Sequence, residues 1–161
     1  MRTIEERHVP QIIALEQTLY DYCAELDAGA ALVTDYFTQD CTFHVGETTW
    51  HGHEGLEAHY AADREYVKAY YKDGVRTVRH GLLNQRIRME DDGSATVDLV
   101  FLNFSAGGTP PFIGGSAPTV VADTRLECLR GPDGHWRIRH FTAQPLFFGQ
   151  DPYLNEVLAE M

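Results

Sequence analysis

Three residues of this sequence carry side chains that together could transfer a proton without a metal or an organic cofactor. Tyr22 and Asp27 lie near the end of the first helical pattern, and His80 lies near the start of a long strand pattern. An imidazole is an effective general base when a carboxylate orients it, and a phenol can donate to a substrate oxygen. The residue types also allow a structural interpretation, in which Asp27 stabilises the chain reversal and Tyr22 belongs to the core.

The strand around His80 predicts that its imidazole is shielded from water. Alternate residues of a strand share a face, so Val78, His80, Leu82 and Asn84 are predicted to point the same way. Apolar neighbours on that face keep the neutral imidazole available as a base. Asp27 is the carboxylate that we expect to reach it.

The later strand patterns supply candidate substrate contacts. Asn103 shares a face with Leu99 and Phe101, whereas Asp98 falls on the opposite face if the alternation is unbroken. Asn103 is predicted either to hold a substrate oxygen or to cap the end of its strand. The expected apolar lining suits a cyclic or aromatic small molecule and comprises Leu82, Phe101, Phe112 and Phe141.

Helical spacing positions Tyr22 and Asp27. Thr3–Glu6 has the pattern of a capping box, and Pro10 is expected to bend this helix or to begin a second segment. Gly29 is typical of a helix end. Between them, apolar residues recur on one predicted buried stripe, which comprises Ile12, Leu15, Leu19, Tyr22 and Leu26.

The next segment predicts a short helix over residues 32–37, a hairpin that turns at Gly46-Glu47, and a second long helix from His53 to Tyr71. The apolar side of that long helix is predicted to comprise Leu56, Tyr60, Tyr66, Val67 and Tyr70.

Strand patterns then dominate. Four runs separated by turn-forming residues are predicted as strands, namely Arg76–Glu90, Ser94–Ala106, Thr119–Arg130 and Trp136–Phe147. Helices followed by an antiparallel meander define an α+β class, here one domain over residues 1–161. A sheet curling around the helices would enclose a cavity. Residues 107–118 are predicted as a flap over its mouth, and Phe147-Phe148 with the tail to Leu154 would close it or contact a neighbouring subunit.

Composition excludes several partners. The net charge of −11, from 24 acidic and 13 basic residues, disfavours nucleic acid and anionic membranes. Three dispersed cysteines without a CxxC pair, no signal-peptide pattern and no membrane-length apolar run favour a soluble cytoplasmic protein.

No metal or organic cofactor is expected from the sequence. His51 and His53 can face one way, with His44 and His59 nearby, but no carboxylate or cysteine completes a recognisable ligand set. The glycines within residues 107–118 lack the lysine and the following helix of a phosphate-binding loop.

Three segments, taken in order, resemble the SnoaL-like branch of the NTF2-like superfamily: Leu19–Asp27, Trp50-His51-Gly52, and Thr77–His80 with Asn84. Within it, the chain is most similar to the scytalone dehydratase-like group, which includes bile-acid 7α-dehydratases and hexachlorocyclohexane dehydrochlorinases. The resemblance implies an NTF2-like cone, in which a curved mixed or antiparallel sheet wraps around N-terminal helices. It also implies that Asp27 and His80 form a catalytic dyad. Tyr22 matches the tyrosine that the dehydratase carries five residues before the aspartate, where the dehydrochlorinase carries a lysine.

One departure from this group concerns a cation. The position of the dehydrochlorinase active-site arginine carries Phe141 here, and Arg139 lies two residues earlier, on the same face by strict alternation. Two alternatives follow. Either Arg139 takes over that role through a small bulge or shift, or the site lacks the cation. Elimination of water is therefore favoured over loss of halide.

The resemblance implies a cofactor-independent lyase of the dehydratase type, acting on a small apolar cyclic or aromatic substrate. Alternatives are an isomerase or cyclase with the same dyad, a lyase that releases formaldehyde from lignin-derived diarylpropanes, and a non-catalytic small-ligand-binding module. The similar lyases form trimers and the related ketosteroid isomerases form dimers. Because Val100 and Leu102 are expected on the outer sheet face, a homotrimer is predicted, with a dimer as the alternative.

Overall fold

The computed structural model describes residues 4–114 and 117–150. A 3₁₀ turn at Glu6–His8 precedes helix α1, Val9–Asp27, which has Pro10 in its first turn. Proline is well tolerated there because the first helical N–H groups have no intrahelical acceptor. Pro10 therefore begins a new segment, the second of the two alternatives expected for it. Thr3 of the predicted capping box lies outside the described residues.

Helix α1 packs its apolar stripe against the sheet. Leu15, Leu19, Tyr22 and Leu26 are buried as predicted, whereas Ile12 is only half-buried. The helix ends at Asp27, and Gly29 follows with a φ of +109°, a left-handed conformation that glycine adopts without strain. The predicted short helix is a 3₁₀ turn at Val33–Tyr36.

Six strands form one sheet, in the order β2-β1-β6-β5-β4-β3. Neighbours are antiparallel except β1 and β6, which are parallel, so the sheet is mixed. The four long strands that the sequence predicted are present with bounds within one residue of the expected ones. The predicted hairpin is also present, but its first strand begins at Phe37, which the sequence assigned to the short helix. The strands are β1 Phe37–Val45, β2 Thr48–His51, β3 Arg76–Met89, β4 Ser94–Gly107, β5 Val120–Arg130 and β6 Trp136–Phe148.

A bulge in β3 contradicts the predicted position of Asn84. The pairing of β3 with β4 shifts between Leu83 and Arg86, and Asn84 within the shift has a φ of +54°. An extra residue of this kind breaks the two-residue alternation. Asn84 is therefore exposed and does not share the inner face with Val78 and His80.

A second bulge moves Arg139 away from its predicted face. Glu127 pairs with His140 and Cys128 pairs with Ile138, which leaves Arg139 as the extra residue of β6. As a result, Ile138 and Phe141 are both buried although they are three residues apart. Arg139 lies on the outer side of the sheet, where its guanidinium is 3.6 Å from Asp40.

Helix α2, Gly52–Tyr70, covers the sheet only over its first turns. Leu56 is fully buried, but Tyr60, Tyr66 and Val67 are half-buried and Tyr70 is 73% exposed. The predicted apolar side of this helix is therefore wrong at its C-terminal end. The second half of α2 borders a cavity instead of packing on the strands.

The outer face of the sheet carries a charged cluster. Asp98 accepts hydrogen bonds from Arg88 and Arg125, both at 2.7 Å, and lies opposite the cavity as the alternation predicted. Val100 and Leu102 follow on the same face of β4 and are half-buried. This face is the one that the sequence predicted to be covered in a homotrimer, and that assembly stays a prediction.

Candidate active site

A cavity of about 420 Å³ lies between the end of α1, helix α2 and the inner face of the sheet. This volume falls in the range of small-molecule sites, roughly 300–1,000 Å³. Phe101 and Phe141 line it as predicted, and Phe43 packs against Phe141 with ring centroids 4.6 Å apart. These packed rings therefore offer an aromatic surface to a flat apolar ligand.

Asp27 and His80 meet at one side of this cavity. The Asp27 carboxylate projects from the last residue of α1, and its Oδ1 accepts a hydrogen bond from His80 Nδ1 at 2.8 Å. The same oxygen accepts the backbone N–H of His80 at 3.0 Å. Both side chains are shielded, with 10% of His80 and 17% of Asp27 exposed. Two hydrogen bonds to one oxygen hold the ring orientation and place the proton of the neutral imidazole on Nδ1.

Asn103 contacts the other ring nitrogen. It lies directly opposite His80 in the pairing of β3 with β4, and its Nδ2 is 2.8 Å from His80 Nε2. Because Nδ1 carries the proton, Nε2 is the acceptor and the amide of Asn103 donates. Asn103 Oδ1 is buried and has no hydrogen-bond partner among the described residues. This unpartnered acceptor is therefore enclosed in the wall beside the imidazole.

Two phenols adjoin one another in the cavity wall. The hydroxyl oxygens of Tyr22 and Tyr60 are 3.4 Å apart. Burial raises the pKa of both phenols above the usual value, so each stays protonated. Sequence reasoning treated Tyr60 only as an apolar helix residue. Its spacing of four from the fully buried Leu56 is the signal that points it inward.

Several predicted residues lie elsewhere. Leu82 packs against the hydrophobic core and does not line the cavity. Phe112 is 46% exposed and is likewise absent from the lining, as is the rest of the described part of the predicted flap. Arg139 cannot contact a ligand here from the outer face. Phe147 and Phe148 are exposed, and the tail from residue 151 lies outside the described residues.

Cations nevertheless line the cavity, and sequence reasoning missed them. Arg76, four residues before His80 on β3, donates to Asp63 of α2 from Nη1 at 3.0 Å and also from Nη2. Arg64, next to Asp63 on α2, donates from Nη1 to the carbonyl oxygens of Gly29 and Ala30 at 3.3 and 3.0 Å. Only the folded chain brings these segments together.

Three of the four histidines considered for a metal have other contacts. His44 Nδ1 lies 2.6 Å from Thr49 Oγ1, and His53 Nε2 donates to the Phe37 carbonyl at 3.1 Å. His59 lies in the cavity wall against Trp50, and burial lowers its pKa. Among residues 4–114 and 117–150, no group of three His, Cys, Asp or Glu side chains is arranged to hold a metal ion.

The fold and this cavity define a class of small α+β domains that enclose a ligand-sized space between a curved sheet and two helices. A family profile described as the SnoaL-like domain matches residues 7–142, and the chain belongs to this family. No protein with a curated description matches it.

Three solved structures illustrate the fold. An NTF2-like protein with a cystatin-like fold from Novosphingobium aromaticivorans is 18% identical, over 94% of this chain and 91% of its own, with a TM-score of 0.69. A protein from the same species, provisionally assigned as a scytalone dehydratase, is 14% identical over 87% of each chain, with a TM-score of 0.67. A Catenulispora acidiphila protein in complex with S-DNPA is 19% identical, over 93% of this chain and 98% of its own, with a TM-score of 0.66. At these identities the similarity establishes the NTF2-like fold.

None of the described helices is long and apolar enough to cross a membrane. Cys23, Cys41 and Cys128 are all buried and unpaired.

Proposed function

We propose that the protein is a cofactor-independent lyase that eliminates water from a small apolar cyclic or aromatic substrate. The observation that carries this proposal is the 2.8 Å hydrogen bond between Asp27 and His80 within an apolar cavity of ligand size. A carboxylate that holds Nδ1–H leaves the lone pair of Nε2 as the only basic site on the ring. Nε2 is thus the atom that would take a proton from carbon.

In the first half of the reaction, His80 Nε2 removes a proton from a carbon next to a carbonyl or an arene. The electron pair of the C–H bond moves into the substrate, and the ring becomes an imidazolium. Asp27 stabilises this new positive charge because its carboxylate already accepts Nδ1–H. Asn103 must first release Nε2, since its amide occupies that lone pair in the free protein.

In the second half, the C–O bond breaks and the departing hydroxyl takes a proton. The imidazolium is the better proton source, because the raised pKa of Tyr22 and Tyr60 disfavours their ionisation. The phenols instead donate hydrogen bonds to the substrate oxygen on which negative charge develops. When the Asn103 amide releases Nε2 and turns, its Oδ1, which is buried and unpartnered in the free protein, would accept a hydrogen bond from a substrate hydroxyl. Water leaves, and His80 returns to its neutral form.

The same dyad would also serve an isomerase, a cyclase, or a lyase that releases formaldehyde from diarylpropanes, because each begins with proton transfer at an activated carbon. A second candidate of another class is a non-catalytic binding module. The hydrogen bond from Asn103 to His80 Nε2 favours it, because that bond occupies the basic site at rest.

The test is a screen of hydroxylated cyclic ketones and lignin dimers, followed by His80→Ala. We expect this substitution to reduce turnover on the order of a hundred- to ten-thousandfold with an unchanged melting curve, because it removes the general base. His135→Ala, at an exposed position in the turn before β6, is the matched control and should keep full activity. Activity of His80→Ala within a few-fold of the unmodified protein would remove His80 from the mechanism.

A further inference from the structure

We propose that the substrate carries a carboxylate, which binds at the mouth of the cavity between Arg64 and Lys68. This inference rests on the proposed function, because it names the class of molecule that the dyad would act on: an apolar ring system with one acidic group. It assigns the polar end of the substrate to helix α2, away from the reacting carbon.

The exposed residues of the lining identify the mouth. Most of the lining is buried or half-buried, but Ala28 and Gly29 after α1, Lys68 near the end of α2, and Val75 before β3 are exposed. These three segments surround one opening. Arg64 is half-buried and lies one helical turn before Lys68, so both cations face the same entrance.

Arg64 forms no ion pair among the described residues, although Glu65 lies close enough to interact with its charge. Asp27 and Asp63 are the carboxylates of the lining, and they are engaged by His80 and by Arg76. Among the described residues, no carboxylate lies within ion-pair distance of Arg64, which donates from one nitrogen, Nη1, to two backbone carbonyls. Those two bonds fix the guanidinium plane, and its other nitrogens are available to a ligand.

Lys68 can reach the same ligand. Its ammonium contacts Glu65 at 2.6 Å, but both side chains are largely exposed, and such surface pairs contribute little free energy. Exchanging Glu65 for a carboxylate in the mouth would therefore cost little. The whole chain carries a net charge of −11, so this local pair of cations distinguishes the entrance from a surface that repels anions.

The chain between Asp27 and Arg64's acceptor limits the size of the ligand. Arg64 donates to the carbonyl of Ala30, three residues after Asp27, so the backbones of Asp27 and Ala30 are at most roughly 10 Å apart. A ligand of one or two fused rings with a short acidic side arm is consistent with this limit and with the cavity volume of about 420 Å³. One available guanidinium and one shared ammonium suit a monoanion better than a phosphate monoester, which would bring a second negative charge close to Asp63.

The experiment measures equilibrium binding to the His80→Ala protein by titration calorimetry, so that no turnover occurs. The probes are 2-naphthylacetic acid, 2-naphthylacetamide, and 2-naphthylmethyl phosphate. We expect the acid to bind about tenfold tighter than the amide, and tighter than the phosphate, because a charge-assisted hydrogen bond to a half-buried guanidinium adds affinity that a neutral amide lacks.

Variants then locate the preference. Arg64→Gln with Lys68→Gln should reduce the acid preference to within about twofold, while Arg64→Lys should retain part of it. Lys72→Gln is the matched control, because it removes one positive charge nearby at an exposed residue outside the lining. Unchanged amide binding shows that the cavity of each variant is intact.

Any one of four results would overturn the inference. The acid and the amide bind equally, the acid preference survives the double substitution, the phosphate binds more tightly than the acid, or no probe binds. Since none of these measurements involves turnover, they leave the dyad proposal to the His80→Ala activity assay. Conversely, if the activity assay contradicts the lyase proposal, a measured preference of the cavity for the acid over the amide would still stand.

Discussion

Replacing Asp27 with Asn tests whether its negative charge, and not its shape, supports His80. The Asn side chain has nearly the same size, and its amide oxygen can still accept the backbone N–H of His80, which Asp27 Oδ1 accepts at 3.0 Å. The substitution therefore removes the charge that would stabilise an imidazolium while keeping the local fold. The melting temperature should change by only a few degrees.

The magnitude follows from the geometry. Asp27 Oδ1 and His80 Nδ1 are 2.8 Å apart, and the centres of the two charged groups are roughly 4 Å apart, which at an effective dielectric constant of about 20 corresponds to about 4 kcal/mol. That energy equals a rate factor of about a thousand. Because 17% of Asp27 remains exposed, solvent screening reduces the effect, and we expect kcat to fall about a hundred- to a thousandfold.

The assay is steady-state kinetics on the substrate identified by the screen. The imidazolium exists only after proton transfer begins, so kcat and kcat/KM should fall together and KM should stay within about twofold. Glu25→Gln is a charge-matched control two residues earlier on α1, outside the cavity lining. If Asp27→Asn raises KM and leaves kcat unchanged, Asp27 is a binding or structural residue and the dyad mechanism is wrong.

Three further outcomes are expected. Tyr22→Phe and Tyr60→Phe should each lower kcat by about ten- to a hundredfold and change the free energy of unfolding by no more than about 1 kcal/mol. The pH-rate profile should show no phenol ionisation near the usual value of about 10, because burial raises both pKa values. Activity of both variants equal to that of the unmodified protein would exclude the phenols from the reaction. Exhaustive chelation should leave activity unchanged, and loss of activity that one divalent ion restores would instead implicate the histidines around His51 and His53. Light scattering at micromolar concentration should report a mass of three 18.2 kDa chains, since the half-buried Val100 and Leu102 on the outer sheet face suit an interface. A mass near that of one chain would rule out an assembly, and a mass near that of two chains would favour a dimer.

The sequence alone predicted the elements because their signals are local. Helical spacing placed Tyr22 on the buried stripe of α1 and ended that helix near Asp27, and two-residue alternation placed His80, Phe101 and Asn103 on the inner face of the sheet. These periodicities depend only on backbone geometry within one element. The order and spacing of the motifs also predicted the NTF2-like fold.

Tertiary structure decided the features that depend on pairing between segments. The bulges that turn Asn84 and Arg139 out of the inner face come from strand register, which a single strand does not reveal. Arg64 belongs to the cavity because the second half of helix α2 borders that cavity, and no local pattern in the sequence predicts which residues it faces there. Contacts between residues far apart in sequence depend on how whole elements pack, so they are defined only in the folded chain.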